Sequence, residues 1–282
     1  MIQQLSGRLG NQLFQWAFAH KLAINYSSKV TLFLDSSHAN GFKGDDLYSH
    51  LEKCDHVEAI ARKDLAGVAI KGLDKVSKLN TTLSLAIEKK LNFLRTKDSY
   101  LIPILPSDRP NLITGFFINS RNVEEVEEVI YPEMQKILGK IETPRTLPEK
   151  YQYIHIRRGD YVTTDFTYGL IGTAHYQRLL NKELPLVIGT DDVNSATSVI
   201  ADLNPDFVFS SRDSTAWQAL KMMAMADSLV LANSTLSWWG GFLASNRGKI
   251  VYSPSPFYKD GYENDELLQY KKFTKVKSEF LQ

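Results

Sequence analysis

The sequence predicts an α/β fold, in which a mostly parallel sheet carries helices on both faces. After Lys150, short β-branched and aromatic runs alternate with amphipathic stretches, as strands alternate with crossover helices. The chain has 282 residues, 43% hydrophobic and 23% charged, which is an ordinary globular composition. Its length suits about two domains.

In the second half, four predicted strands are each followed by a predicted helix, and a further strand follows them. The predicted strands are Tyr151–Ile156, Pro185–Gly189, Asp206–Phe209, Ser228–Leu231 and Lys249–Tyr252. The predicted helices are His175–Leu180, Val193–Leu203, Ser214–Ala226 and Thr235–Ala244. The tail, Tyr262–Gln282, has the charge pattern of a terminal helix.

The first half gives a weaker pattern. Val30–Leu34 is predicted to be a strand that ends at Asp35, and Asn111–Ile118 is predicted to be another. Val123–Leu138 has the spacing of an amphipathic helix. Ile141–Lys150 carries two prolines among charged residues and is predicted to be the interdomain linker.

A glycine-punctuated loop, Leu5–Gln12, precedes a predicted helix, Gln12–Ile24. Free backbone N–H groups at such a helix start favour an anion or a sugar hydroxyl, so Gly10, Asn11 and Gln12 are candidate ligand contacts. The alternative is that the glycines only make a tight turn. The spacing is not that of a nucleoside triphosphatase loop.

The stretch Tyr151–Tyr161, YQYIHIRRGDY, holds the main candidates. Arg157, Arg158 and Asp160 follow a buried strand, where open α/β sheets bind ligands, and a guanidinium suits phosphate. If the extended geometry continues through Arg158, His155 and Arg157 share one face, so we expect one arginine on the ligand and the other holding the loop by pairing with Asp160. The alternatives are a solvated arginine pair and an exposed RGD adhesion loop.

Two carboxylates, Asp191 and Asp192, follow the strand that ends at Gly189. An acidic residue at such a strand end commonly accepts hydrogen bonds from ribose hydroxyls or a base edge. Asp192 is alternatively the cap of the helix that begins at Val193. A divalent metal is the third alternative, although it usually needs more oxygen ligands.

Four polar side chains follow the strand Ser228–Leu231 at a predicted helix start. They are Asn233, Ser234, Thr235 and Ser237. With the helix dipole they suit a diphosphate, and capping alone explains one of them. The adjacent Trp238 and Trp239 are more typical of packing than of a sugar platform.

Composition excludes several classes of protein. A net charge of +1 gives no support for a nucleic-acid partner. A single cysteine, Cys54, excludes an intrachain disulfide and a multi-cysteine metal cluster. No apolar run is long enough to span a membrane, and no signal-peptide pattern opens the chain. We therefore expect a cytoplasmic protein with at most peripheral membrane association.

Four segments, in the family's order, resemble the motifs of the α-1,2-fucosyltransferases. They are GRLGNQLFQWAFA (Gly7–Ala19), HIRRGDY (His155–Tyr161), DSTAWQALKMM (Asp213–Met223) and ANSTLSWWGGFLA (Ala232–Ala244). HIRRGDY is similar to the HxRRxD motif shared with α-1,6- and protein O-fucosyltransferases. Residues 36–140 carry no transferable motif.

The resemblance implies a GT-B type fold, with two Rossmann-like domains facing across a cleft. Residues 1–148 would form the acceptor-side domain and residues 149–282 the donor-binding domain. It implies transfer of fucose from GDP-β-L-fucose, with inversion and without a metal ion, to a hydroxyl such as O2 of a terminal galactose. The acceptor would be an oligosaccharide or lipid-linked glycan, as in bacterial O-antigen or polysaccharide synthesis.

The resemblance also assigns roles to the candidates. Arg157 would bind the β-phosphate, His155 and Arg158 would contribute to the donor site, and Asp191 or Asp192 would face the nucleoside. The diphosphate would lie at Asn233, Ser234, Thr235 and Ser237. Gly10, Asn11 and Gln12 would reach across the cleft.

The residues leave the general base open between Asp160 and Asp35. They also leave open another GDP-linked deoxyhexose as the donor, and a non-catalytic nucleotide-binding module with the same fold.

Overall fold

The computed structural model describes residues 1–34, 47, 50–51, 56–60, 89–90, 92–95, 105, 107–260 and 265–281. The chain divides into two compact units, Met1–Glu133 and Met134–Gln282. The division falls inside a helix that begins at Glu127, and the predicted linker Ile141–Lys150 lies in the second unit. Asp35 lies outside the described residues.

In the first unit, the described strands form a parallel sheet in the order β3-β2-β1-β5-β4. These strands are β1 (Ile2–Leu5), β2 (Val30–Leu34), β3 (Val57–Ile60), β4 (Phe93–Arg95) and β5 (Leu112–Thr114). The described helices of eight residues or more that begin in this unit are α1 (Leu9–Asn25) and α3 (Glu127–Gly139), and a short helix, α2 (Ser120–Glu124), lies between them. The predicted strand Val30–Leu34 is confirmed.

In the second unit, the described strands form a parallel sheet in the order β11-β10-β9-β6-β7-β8. They are β6 (Gln152–Ile156), β7 (Leu186–Thr190), β8 (Phe207–Ser210), β9 (Ser228–Val230), β10 (Ile250–Ser255) and β11 (Thr274–Lys277). The connecting α-helices are α4 (Asp165–Tyr168), α5 (Thr173–Gln177), α6 (Val193–Leu203), α7 (Ala216–Met225) and α8 (Thr235–Asn246). The predicted α/β class is confirmed, with a Rossmann-like parallel sheet in each unit.

The central strand β6 is buried along its whole length because both faces of its sheet are covered. Ile154 and Ile156 pack on one face with Ile188 of β7 and Val199 of α6. On the other face, the hydroxyl of Tyr151 donates to the carbonyl of Met222 at 2.7 Å, in α7. The strand that leads to the candidate arginines is therefore fixed from both sides.

The predicted C-terminal helix is wrong for the described part of Tyr262–Gln282. That part contains a 3-10 helix, Asp265–Leu268, and the strand β11, which pairs in parallel with β10. The lysines of β11 lie on a sheet edge, where charged side chains discourage further pairing. The spacing of these lysines in the sequence resembles that of charged residues on the exposed face of a helix.

Candidate functional site

Strand register brings the predicted loops together at one edge of the second sheet. Ile156 of β6 lies opposite Thr190 of β7, so Arg157 and Asp191 emerge side by side. Ile154 lies opposite Val230 of β9, which leads to the start of α8. Three strand ends therefore meet at this edge of the sheet.

The guanidinium of Arg157 is held by two carboxylates and one aromatic ring. Its Nη1 atom lies 2.6 Å from Oδ2 of Asp191, and its Nη2 atom donates to Oδ1 of Asp160. The ring of Tyr161 lies beneath it, with the Cζ atom 5.0 Å from the ring centroid. The arginine side chain is only 12% exposed, so the predicted alternative of a solvated arginine pair is wrong.

Of the two arginines, Arg158 is the one that holds the loop, through backbone carbonyls and not through Asp160. It is 2% exposed. Its guanidinium donates to the carbonyls of Arg157, at 3.0 Å, and Ile171, at 2.9 Å. The carboxylate that we expected it to bind, Asp160, is paired with Arg157, because Arg158 turns inward to these carbonyls. Since Arg158 opens the RGD tripeptide and is buried, the adhesion-loop alternative is also wrong.

Asp191 and Asp192 have different positions and contacts. Asp191 accepts the backbone N–H of Arg158 at 2.8 Å in addition to its ion pair with Arg157. Asp192 caps α6, accepting from the N–H groups of Asn194 and Ser195 and from the Ser195 hydroxyl. The Ser195 hydroxyl bond is the main reason why the pKa of Asp192 lies below its usual value. The capping alternative for Asp192 is confirmed.

His155 lies behind the arginine loop as a neutral imidazole. Burial lowers its pKa to about 4; the nearby Asp191 opposes this shift, and Arg157 adds to it. Its Nδ1 atom is buried without a hydrogen-bond partner, as is the hydroxyl of Tyr153 two residues earlier. The neutral ring carries no charge that could bind a phosphate.

Asn233 ties the start of α8 to the segment before α5. Its Nδ2 atom donates to the carbonyls of Tyr168, at 2.8 Å, and Gly169, at 2.9 Å. The backbone carbonyl of Asn233 accepts a hydrogen bond from the hydroxyl of Tyr161 at 3.0 Å. Tyr161 therefore joins Arg157, which lies on its ring, to the helix start. The sequence offered a signal for Tyr161, an aromatic residue directly after RRGD, but we assigned it no role.

The other polar residues at the start of α8 differ in accessibility. Ser237 is fully buried, and its hydroxyl accepts the N–H of Ala232 at 2.9 Å. Ser234 is the N-cap residue but makes no side-chain capping bond, and Thr235 is half-buried. Trp238 and Trp239 are fully buried, which confirms the prediction that they pack. The dipole of this helix favours an anion beside Ser234.

The C-terminal residues support the arginine loop from behind. The N–H of Gly172 donates to the carbonyl of Glu279, and the N–H of Leu281 donates to that of Leu170, both at 2.7 Å. A Cβ atom on Gly169 would lie 2.5 Å from Cδ1 of Phe280, so the ring lies directly against this glycine. These contacts fix the segment that offers carbonyls to Arg158 and Asn233.

Helix α1 begins at Leu9, three residues before the predicted start at Gln12, so Gly10 and Asn11 lie within it and their assignment to a loop is wrong. The backbone N–H groups of Asn11 and Gln12 donate to the carbonyl of Arg8, which closes the first helical turn. The side chain of Gln12 donates to the carbonyl of Gly7 and accepts from the N–H of Leu47. Gln12 thus has a structural role inside the first unit.

The described residues contain neither a metal-binding cluster nor a membrane-spanning helix. In that part of the chain, no group of three or more His, Cys, Asp or Glu side chains lies close enough together to hold a metal ion. Among the described helices, none combines the length and the apolar character needed to cross a membrane.

Residues 75–273, more than half of the chain, match the model of glycosyl transferase family 11. The chain belongs to this family. Two Escherichia coli proteins resemble this family 11 member along most of its length. It is 23% identical to the O-antigen biosynthesis glycosyltransferase WbnK, with 92% of this chain and 95% of the relative covered. It is also 23% identical to an α-1,2-colitosyltransferase, with 92% of each chain covered.

Solved structures with the same fold include two glycosyltransferases. The fucosyltransferase NodZ from Bradyrhizobium superposes with a TM-score of 0.50 at 12% identity, covering 86% of this chain and 93% of NodZ. A family 9 glycosyl transferase from Veillonella parvula gives a TM-score of 0.50 at 10% identity, covering 98% of this chain and 86% of that one. The GT-B type fold that the family resemblance implies is thereby confirmed for this family 11 protein.

Proposed function

We propose that this family 11 glycosyltransferase moves L-fucose from GDP-β-L-fucose to O2 of a terminal galactose, with inversion, in the synthesis of a cell-surface glycan. The names of the two Escherichia coli relatives support an α-1,2 linkage and an O-antigen-like product. The proposed acceptor is an oligosaccharide or a lipid-linked glycan. The proposed location is the cytoplasm, at most peripheral at the inner membrane, and cell fractionation tests it.

The observation that carries the proposal is the arrangement of Arg157. Arg157 directly follows a fully buried strand, and its guanidinium is oriented by an ion pair with Asp191 and lies over the ring of Tyr161. The hydroxyl of Tyr161 is hydrogen-bonded to the backbone carbonyl of Asn233 at the helix start. A cation and a helix N-terminus at one sheet edge suit the two phosphates of a nucleoside diphosphate.

In the proposed reaction, the acceptor oxygen forms a bond to C1 of the fucose, and the bond from C1 to the β-phosphate oxygen breaks. GDP leaves with the bonding electron pair, and Asp160 takes the acceptor's hydroxyl proton. Charge grows on the departing phosphate while the sugar gains oxocarbenium character. In this proposal Arg157 and the start of α8 stabilise that charge without a metal ion.

The test is transfer to a panel of galactose-terminated acceptors, read by mass spectrometry and by linkage analysis of the product. GDP-fucose is expected to add one deoxyhexose, and UDP-galactose to add nothing. Arg157→Ala is the matched variant, with transfer expected to be about 10²–10³-fold slower. Transfer from a UDP-sugar would contradict the proposal, and GDP binding without transfer would indicate a non-catalytic nucleotide-binding module.

A second candidate donor is another GDP-linked deoxyhexose. The relative named as an α-1,2-colitosyltransferase favours it. Competition between GDP-colitose and GDP-fucose in the same assay separates the two. A higher kcat/KM for GDP-colitose would replace fucose by colitose in the proposal and leave the linkage unchanged.

A further inference from the structure

The two carboxylates paired with Arg157, Asp191 and Asp160, differ in burial and in their other hydrogen bonds. Asp191 is 17% exposed and is fixed a second time by the backbone N–H of Arg158. Asp160 is 52% exposed and lies in the first turn of the 3-10 helix Gly159–Val162. An ion pair to a half-exposed carboxylate contributes little, because water competes for both partners. Of the two, Asp160 is the one that a stronger anion can displace.

The backbone below Asp160 is fixed although its side chain is exposed. Its carbonyl accepts the hydroxyls of Thr163 and Thr164, each at 2.9 Å. A rotation of the side chain therefore leaves the loop and the position of Arg157 unchanged. Rotation about side-chain bonds is fast compared with a loop rearrangement.

Both terminal nitrogens of the guanidinium already face a carboxylate. Its Nη1 atom is on Asp191 and its Nη2 atom is on Asp160. A phosphate binds best to two parallel N–H groups of a guanidinium, so it competes directly with a carboxylate already there. Like charges brought to the same guanidinium also repel each other.

We infer that Asp160 is an internal substitute for the donor's β-phosphate, which occupies Arg157 until the donor binds and is then released toward the acceptor. This inference rests on the proposed function. Arrival of the diphosphate on Nη2 displaces the Asp160 carboxylate from Arg157, and the displaced carboxylate takes the proton of the acceptor hydroxyl. Donor binding thus prepares the leaving-group site and the base in a single exchange.

The inference gives Asp160→Asn two effects of opposite sign. Without the competing carboxylate, GDP binds more tightly, by roughly two- to fivefold, the range that an exposed ion pair spans. Without the base, transfer at saturating donor falls by roughly 10²–10⁴-fold. A residue that only supported the fold would weaken both binding and transfer.

The experiment measures the Kd of GDP by calorimetry and single-turnover transfer for the wild type, Asp160→Asn and Asp213→Asn. Asp213 is the control: it is an exposed carboxylate at the same sheet edge, bonded to Ser210 after β8. Its amide variant removes the same charge without touching Arg157. The control is expected to change the Kd of GDP by less than twofold.

The outcomes separate this inference from the proposed function. No GDP binding by the wild type overturns the proposed function. GDP binding that is unchanged or weaker in Asp160→Asn overturns the inference alone, as does equal tightening in Asp213→Asn. Tighter GDP binding together with slower transfer, seen in Asp160→Asn only, supports it.

Discussion

The carboxylate of Asp191 fits against residue 159 only because that residue is glycine. A Cβ atom on Gly159 would lie 2.2 Å from Oδ2 of Asp191, and the φ angle of Gly159 is +31°. The oxygen that orients Arg157 therefore lies where any other residue would place its side chain. Both the turn and the ion pair depend on the absence of that side chain.

Gly159→Ala is expected to separate Asp191 from Arg157. The strained backbone costs roughly 1–3 kcal/mol of folding free energy, and the displaced carboxylate leaves Arg157 misoriented for GDP. Urea unfolding and GDP calorimetry measure the two effects. Gly139→Ala is the control, because a Cβ there meets nothing within 4 Å; equal losses in both variants would contradict the prediction.

Substituting Arg157 is expected to lower the transfer rate, whereas substituting Arg158 is expected to lower the stability of the fold. Arg157→Ala lowers transfer by about 10²–10³-fold, the cost of one preorganised donor, and changes the melting temperature little. Arg158→Ala leaves the carbonyls of Arg157 and Ile171 without their donor and lowers the unfolding free energy by roughly 1–3 kcal/mol. Thermal unfolding and initial rates for both variants distinguish them. A stable but inactive Arg158→Ala would reverse the assignment.

Strand ends were the part of this site that the sequence could predict. In a parallel sheet every carboxyl end lies at the same edge, so the sequence placed Arg157, Asp191 and Asn233 on one edge. The strand order β9-β6-β7, which makes them neighbours, could not be predicted from the sequence. Helix α6 also has the predicted bounds, Val193–Leu203, because Asp192 begins it and Asn204, with φ +48°, ends it.

The pairing within the arginine loop could not be predicted in the same way. Arg158 turns inward because Ile171 offers a carbonyl there, and that segment is placed by Glu279 and Leu281, far along the chain. The strand β11 was also missed, since its hydrogen bonds to β10 are tertiary. Local residue patterns carry no information about such long-range partners.

Asn233→Asp is expected to loosen the start of α8 from the Tyr168–Gly169 segment. A carboxylate cannot donate to the two carbonyls that Asn233 now binds, and it would be buried beside them. We expect the unfolding free energy to fall by at least about 2 kcal/mol. Asn194→Asp makes the same change at an exposed site in the first turn of α6 and is expected to be neutral.

Stability is expected to fall as the pH drops from about 6.5 to about 4. Burial lowers the pKa values of His20, His155 and His175 to about 4. In this pH window the unfolded chain therefore binds more protons than the folded chain, which favours unfolding. Each histidine adds up to about 1.4 kcal/mol per pH unit to the slope. Urea unfolding at several pH values measures it, and His155→Gln should reduce the slope by up to one proton.

Chelation is expected to leave transfer unchanged. If Arg157 and the start of α8 neutralise the departing diphosphate, no divalent ion is needed for that charge. Initial rates with and without excess EDTA test this, with added Mg²⁺ or Mn²⁺ as the reverse control. A loss of transfer with EDTA that Mg²⁺ restores would contradict the metal-independent proposal.

The ring of Phe280 lies against Gly169, and the neighbouring backbone bonds hold Leu170 and Gly172. A nonsense mutation just before Phe280 would therefore keep every described strand of both sheets. It would still loosen the segment whose carbonyls accept hydrogen bonds from Arg158 and Asn233. In a genetic screen such an allele would mimic a lesion in substrate recognition, because the lost residues hold the segment that binds Arg158 and Asn233.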